Sequence, residues 1–301
     1  MSQSNWTDAG QLQSDHGGRT LAFDQIFNEA FFAPSKVKEL SETFKHNMPF
    51  PYLVFEGLFS PVLLELMYSE FGSLRWSDWR RFDSINELKL GSRPYCRLGH
   101  AAQLYFNTVH SGAFIDILQQ ITGIEGLIPD PSLTNGGIHE IPTGGKFELH
   151  TDFNQDSVTK LDNRLVFITY LNKDWLPSYA GALELWSVEE GKCEAKIEPT
   201  FGRSILLYES SKSLHGHPDP VNAPAGRPRR SAAAYFYTNG RPNGEESTSF
   251  HPTIFPLPVT RSQYARIVGA VKYLTPPAII DAMLKLRTII KRRKSTFWRS
   301  G

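Results

Sequence analysis

Residues 144–154 read GGKFELHTDFN. In an extended strand, side chains two apart leave the same face, so His150 and Asp152 would project into one space. An imidazole and a carboxylate converging there could share a metal ion, or form a plain hydrogen-bonded pair. The triplet alone decides nothing, because His217-Pro218-Asp219 repeats it.

The surroundings of the first triplet set the fold. From about residue 133 the chain runs through GGIHEI, KFELHTDF, NRLVFITYL, GALELW, AKIEPT, RSILLYE and RRSAAAYFYT. Val, Ile, Phe and Tyr are frequent, several runs alternate with period two, and Gly, Pro, Asn and Ser separate them. Many short strands at this spacing predict a sandwich or jelly roll rather than βαβ units. Upstream, APSKVKELSETFKHN predicts a helix capped by Ser35. PYLVFEGLFSPVLLELMYSEF predicts a strand and then a helix capped by Ser60, with Pro61 at its first position. SGAFIDILQQITGI predicts a third helix, with Phe114, Ile115, Ile117, Leu118 and Ile121 near helical spacing. Helices first and strands afterwards give an α+β order.

Composition bounds the function. The 301 residues are 40% hydrophobic and 12% aromatic, ample for a buried core, and the formal charge of +1 gives no global attraction for nucleic acid. Cys96 and Cys193 have neither CxxC nor framework spacing, as expected of a reducing compartment. Residues 1–20 lack the basic start and apolar run of a secretion signal, and no apolar run reaches membrane-spanning length. The expected division is a disordered tail over 1–20, one catalytic domain over 21–258 with its core at about 133–240, and a helical extension over 259–301. The expected address is the cytoplasm. Within the extension, Ile279, Met283, Leu286 and Ile290 form one stripe that ends in Lys291, Arg292, Arg293 and Lys294. Such a helix suits either an anionic membrane surface or packing and self-association, with the cations at its C-terminal end.

The chemistry gathers in FGRSILLYESSKSLHGHPDPVNAPAGRPRRSAAAYFYTNG (residues 201–240). A strand ends, His215 arrives in a turn-rich segment, and a new strand opens with Arg229, Arg230 and Ser231. Two imidazoles and one carboxylate on one face of an iron leave three positions open, the arrangement of non-haem Fe(II) oxygenases. The ordered set GGKFELHTDFN, YLNKDW, GALELW, SLHGHPDP and RRSAAAYFYT resembles the 2-oxoglutarate and Fe(II)-dependent dioxygenase superfamily, in its prolyl 4-hydroxylase-like branch. The resemblance implies a double-stranded β-helix (jelly roll, cupin-like) core carried by N-terminal helices. It also implies Fe(II) as cofactor, with 2-oxoglutarate and O2 as co-substrates.

Position by position, the family pattern His-x-Asp followed by a distant His makes His150, Asp152 and His215 the iron ligands, with His217 as the competitor of His215 if the segment is extended, or else a residue that lines the pocket. The pattern's Arg-x-Ser, which binds the far carboxylate of 2-oxoglutarate, falls on Arg229 and Ser231. Arg230 is the alternative if a bulge reverses strand parity. His139, Tyr170, Asn172 and Trp186, on other strands, could each touch co-substrate or substrate. The glycine pair usual before LELW is Gly181-Ala182 here. The branch's aromatic after the first glycine is Phe147, and its tyrosine before that glycine is Ile141, so one co-substrate hydrogen bond is missing or supplied otherwise. The reaction implied is hydroxylation of a C–H bond of a peptide, free amino acid, small metabolite or glycan, with release of succinate and CO2.

Two other readings stand beside this one. His215, His217 and Asp219 could open a zinc hydrolase site, or the jelly roll could be an inactive binding module. The segment SDWRRFDSINELKLGSRPYCRLGH (residues 77–100) is expected to be a loop over the site, with Arg80, Arg81, Arg93 and Arg97 available to an anionic or sugar-containing substrate.

Overall fold

The computed structural model describes residues 13–16, 19–22, 26–241 and 250–256. The tail up to residue 12 and the C-terminal extension with its basic stripe lie outside them. In chain order the elements begin with the hairpin β1 (Gln13–His16) and β2 (Arg19–Ala22), then α1 (Pro34–His46), β3 (Tyr52–Phe55) and α2 (Pro61–Glu70). There follow β4 (Trp79–Asp83), β5 (Leu88–Ser92), α3 (His100–Val109), α4 (Gly112–Thr122), β6 (Ile128–Pro129), β7 (Gly137–Ile141) and β8 (Phe147–His150). The chain then forms β9 (Asp162–Tyr170), β10 (Leu183–Ser187), β11 (Lys192–Ile197), β12 (Ser204–Tyr208), β13 (Leu214–His217) and β14 (Arg229–Thr238).

Two antiparallel sheets face each other. The major one runs β3-β12-β9-β14-β7-β5-β4, with β6 paired to β14, and the minor one runs β11-β10-β13-β8. Alternation in β9 and β14 sorts the residues between two layers. Leu165, Phe167, Ala232, Ala234 and Phe236 point outward into the core shared with the helices. Val166, Ile168, Tyr170, Ala233 and Tyr235 point inward, toward Leu183, Leu185 and Ile197 of the minor sheet. Both faces of these central strands are therefore covered, which is why β9 is buried along nearly its whole length.

The helices form where apolar residues recur at three- and four-residue spacing. α1 buries Val37, Leu40 and Phe44; α2 buries Leu63, Leu64 and Met67; α4 buries Phe114, Leu118 and Ile121. α4 is capped as its sequence indicates, with Ser111 Oγ accepting from Phe114 N at 3.3 Å and Gly123 closing it in the left-handed conformation. α1 departs from expectation. It starts at Pro34, so its N-cap is Ala33 rather than Ser35, and the fixed φ of proline opens the helix in place of a side-chain cap. Ser60 sits at the cap of α2 but makes no capping bond.

Several elements escaped the sequence reading, among them the β1–β2 hairpin, which starts inside the expected tail over 1–20. Residues 79–92 form the hairpin β4–β5 at the edge of the major sheet instead of a loop, and His100–Val109 is a helix. The start of α3 is held by the Glu70 carboxylate of α2, which accepts from Ala101 N at 2.8 Å and from Ala102 N at 2.9 Å. A buried hydroxyl chain, Tyr105 Oη to Thr169 Oγ1 to Ser204 Oγ with 2.8 Å at each step, ties α3 to β9 and β12. Cys96 and Cys193 form no disulfide, and among the described residues no helix is long and apolar enough to cross a membrane.

Candidate metal centre and co-substrate pocket

β8 and β13 are neighbours in the minor sheet, with His150 directly opposite His215. His215 was expected in a turn and lies instead in this short strand. Between it and His217 the ladder slips at Gly216, where a Cβ would stand 2.7 Å from the Glu148 carbonyl oxygen. Only glycine lets the two strands approach so closely. His150 and Asp152 leave the same side, as their spacing requires, and one donor atom from each of His150, Asp152 and His215 lies within 4.8 Å of the others. All three residues are buried.

The hydrogen bonds around the triad fix which atoms face inward. His150 Nδ1 meets Glu148 O at 2.7 Å and His215 Nδ1 meets Ser213 O at 2.8 Å. A carbonyl can only accept, so both Nδ1 atoms carry a proton, and Nε2 is the atom of each ring that remains to meet a metal. Asp152 Oδ2 accepts from Tyr235 Oη at 2.8 Å, while Oδ1 lies 3.4 Å from His150 Nε2. Burial alone would raise the Asp152 pKa. The hydrogen bond and charge of His150, the charge of His215 and the Tyr235 hydroxyl more than reverse this and hold it below the usual range. Burial, reinforced by His150, draws the His215 pKa down to about 4. Two imidazoles that keep Nε2 for a metal and a carboxylate held ionised are the donor set a divalent ion requires, so the residues fit Fe(II).

The triad lines a cavity of about 100 Å³ between the sheets, room for several waters and so for a small dicarboxylate. Arg229 on β14, 4% exposed, lines the same cavity. Its Nε donates to Gly181 O at 2.7 Å, its Nη2 to Tyr170 Oη at 3.2 Å, and its Cζ stands 4.8 Å from the centre of the Tyr170 ring. No carboxylate pairs with it among the described residues. A buried guanidinium without a counter-ion is costly, and the anion it lacks would come from a ligand. Gly181, at φ +75°, carries the accepting carbonyl, and a Cβ there would stand 3.0 Å from Arg229 Cδ. The unusual Gly181-Ala182 pair thus keeps the one glycine the arginine needs.

Ser231 and His139 are opposite neighbours on β14 and β7, and both line the cavity. Burial, and then the charges of Lys89 and Arg229, bring the His139 pKa down to about 3. Arg230 is the correction: strand parity turns it to the opposite face. There it pairs with Glu140 at 2.8 Å and lies 4.7 Å over both Tyr68 and Phe71. Of the three other candidates, Tyr170 lines the cavity, Asn172 accepts from Arg230 N at 2.6 Å outside it, and Trp186 packs with Leu149 and Leu214. Asp219, proposed with His215 and His217 for zinc, has a side chain 51% exposed and stands near Lys196 instead, so the three do not converge.

A vestibule of about 200 Å³ adjoins the cavity, bounded by Arg80, Phe82, Lys89, Asn135, His139 and Phe153. Arg80 stacks on Phe82 at 4.7 Å, and Lys89 lies 5.0 Å from Phe82 and 3.4 Å from Phe147. Phe147 in turn meets His150 with ring centroids 3.8 Å apart. Lys89 was missed because its strand was taken for a loop. Of the four arginines expected there, Arg80 alone lines the vestibule. Arg81 pairs with Asp83 at 2.7 Å on the other face, and Arg93 donates to Ser77 O at 3.1 Å.

Residues 136–237 match the family described as the 2OG-Fe(II) oxygenase superfamily. Among solved structures, a Pseudomonas putida prolyl-4-hydroxylase aligns at 15% identity and TM-score 0.50, over 67% of this chain and 100% of that one. A Trichoplax adhaerens prolyl hydroxylase, in complex with a hypoxia inducible factor oxygen degradation domain peptide fragment, aligns at 17% and 0.49, over 67% and 91%. None of the curated proteins matches the chain. The strands that carry the buried His-Asp-His group and Arg229 lie within the span that matches the 2OG-Fe(II) oxygenase superfamily, so over residues 136–237 the chain is similar to that superfamily in sequence as well as in fold.

Proposed function

We propose that the protein hydroxylates a C–H bond of a peptide or small-molecule substrate, with His150, Asp152 and His215 holding Fe(II) and with Arg229 and Ser231 holding the far carboxylate of 2-oxoglutarate. When bound, the iron couples oxidative decarboxylation of 2-oxoglutarate to succinate and CO2 with transfer of one oxygen atom of O2 to the substrate. The observation that carries the reading is that one cavity is lined both by a group of three metal donors and by a buried arginine without a carboxylate. A dicarboxylate would meet both at once.

The chain's own residues orient and exclude. The carbonyls of Glu148 and Ser213 fix the imidazole tautomers, and the Tyr235 hydroxyl pins one oxygen of Asp152 so that the other faces inward. Val166, Ile168, Leu183 and Ala233 line the middle of the cavity and keep it poor in water. Substrate would enter through the vestibule, where Arg80 and Lys89 favour an anionic group. In the test, the anaerobic protein receives Fe(II) and then 2-oxoglutarate while its weak visible charge-transfer absorption is followed. Wild type is expected to show the band, His150→Ala to lose it, and Arg229→Ala to need far more 2-oxoglutarate. A wild type without the band that instead binds zinc tightly would sink the oxygenase assignment of these residues.

A further inference from the structure

His217 follows His215 by two residues in β13, yet it is not one of the metal-binding group. Among the described residues only His150, Asp152 and His215 bring donor atoms within 4.8 Å of one another. Its side chain is 3% exposed, and neither Nδ1 nor Nε2 has a hydrogen-bond partner. An imidazole buried in that state forfeits its hydration without return. It lines the same cavity as Arg229, Ser231 and Tyr170, with the Phe147 ring 6.5 Å away and the apolar side chains of Ile141 and Leu183 offering it nothing. The cavity thus holds two polar groups with unmet needs. One is a guanidinium without a carboxylate, and the other is a ring that keeps at least one N–H donor in either protonation state. Their common complement is a group with several acceptor oxygens and negative charge.

We propose that His217 donates an N–H hydrogen bond to the far carboxylate of 2-oxoglutarate, beside Arg229 and Ser231. The inference rests on the co-substrate assignment above and adds to it a residue that touches the ligand. It explains why a polar ring is tolerated at a position where nothing in the protein satisfies it.

The test is calorimetric titration of Mn(II)-loaded protein with 2-oxoglutarate and with 2-oxobutyrate, which keeps the chelating end and lacks the far carboxylate. Wild type is compared with His217→Phe, with His217→Ala, which needs no extra room, and with His217→Asn, which restores a donor. Mn(II) affinity and melting temperature control for folding. The expected result is 2-oxoglutarate binding weaker by about 10- to 100-fold in the Phe and Ala variants, as for one lost hydrogen bond to a charged group. Binding of 2-oxobutyrate should be unchanged, and His217→Asn should recover part of the loss. Unchanged 2-oxoglutarate binding in the Phe and Ala variants would overturn the proposal. Equal weakening of both ligands would also overturn it, since the ring would then act at the metal end. A wild type that binds Mn(II) but neither ligand would instead remove the co-substrate assignment on which the proposal stands.

Discussion

Arg229 is committed to one position by three contacts, and the least obvious is with Gly181. The carbonyl that accepts from Nε belongs to a residue at φ +75°, where a Cβ would press on Arg229 Cδ at 3.0 Å. Gly181→Ala should therefore strain the backbone and push the guanidinium out of line. We expect 2-oxoglutarate affinity to fall by roughly tenfold or more, from loss of one charge-assisted hydrogen bond, with Mn(II) affinity kept. Titration of both ligands checks this, and equal losses for metal and co-substrate would mean that the whole site had moved. At this scale the sequence was informative: parity alone put Arg229 and Ser231 on one face and Arg230 on the other. It left His217 as a competitor of His215 or a pocket-lining ring, and the structure leaves it out of the metal group and in the cavity lining.

Among the elements, α3 depends on a neighbour for its start. Its first amides donate to both oxygens of Glu70, and its own N-cap, Gly99, supplies no side chain. Glu70→Ala removes those acceptors and the favourable negative charge at the helix N-terminus. The expected loss is about 1–2 kcal/mol of stability, a few degrees in melting temperature, with co-substrate affinity unchanged. A thermal melt together with a 2-oxoglutarate titration separates the two effects. The β4–β5 hairpin shows why the sequence gave way here. WRRFD is short and mostly charged, and the equally short LKLGS has only two apolar residues; one face of the edge strand meets solvent while the other meets a polar vestibule. Neither leaves the apolar alternation by which strands were recognised elsewhere.

For the molecule as a whole, buried titratable groups set the response to pH. Glu209 is 2% exposed, neither of its oxygens has a partner, and burial, aided by the Asp152 charge, raises its pKa well above 4.5 against the pull of Arg241. The folded state holds this proton more tightly than the unfolded state. Its stabilising contribution is therefore complete below pH 4.5 and is lost as pH rises through the folded value. Glu209→Gln should flatten that decline, checked by chemical denaturation of both proteins between pH 5 and pH 9. Identical slopes would refute the assignment. His139 and His110 act in the opposite sense, burial lowering them to about 3 and about 4. Their contribution is present above pH 6.5 and lost as pH falls through those values. Metal and co-substrate bind only the folded chain, so Mn(II) with saturating 2-oxoglutarate should raise the melting temperature by several degrees, and chelation should reverse it. In His150→Ala no such shift is expected.

The sequence by itself determined the α+β class, the strands from about residue 133 onward and the shared faces of His150 with Asp152 and of Arg229 with Ser231, because period-two alternation is a local property that a single segment displays. The resemblance of its motifs to the dioxygenase superfamily singled out His150, Asp152, His215, Arg229 and Ser231. The tertiary structure decided the rest. It paired β13 with β8, so that His150 and His215, far apart in the chain, stand opposite each other. It brought Lys89 and Arg80 to the mouth of the site, and it left Arg229 and His217 buried without the partners they need. Those facts belong to pairs of distant segments, and no single stretch of chain carries the information about what will be packed against it.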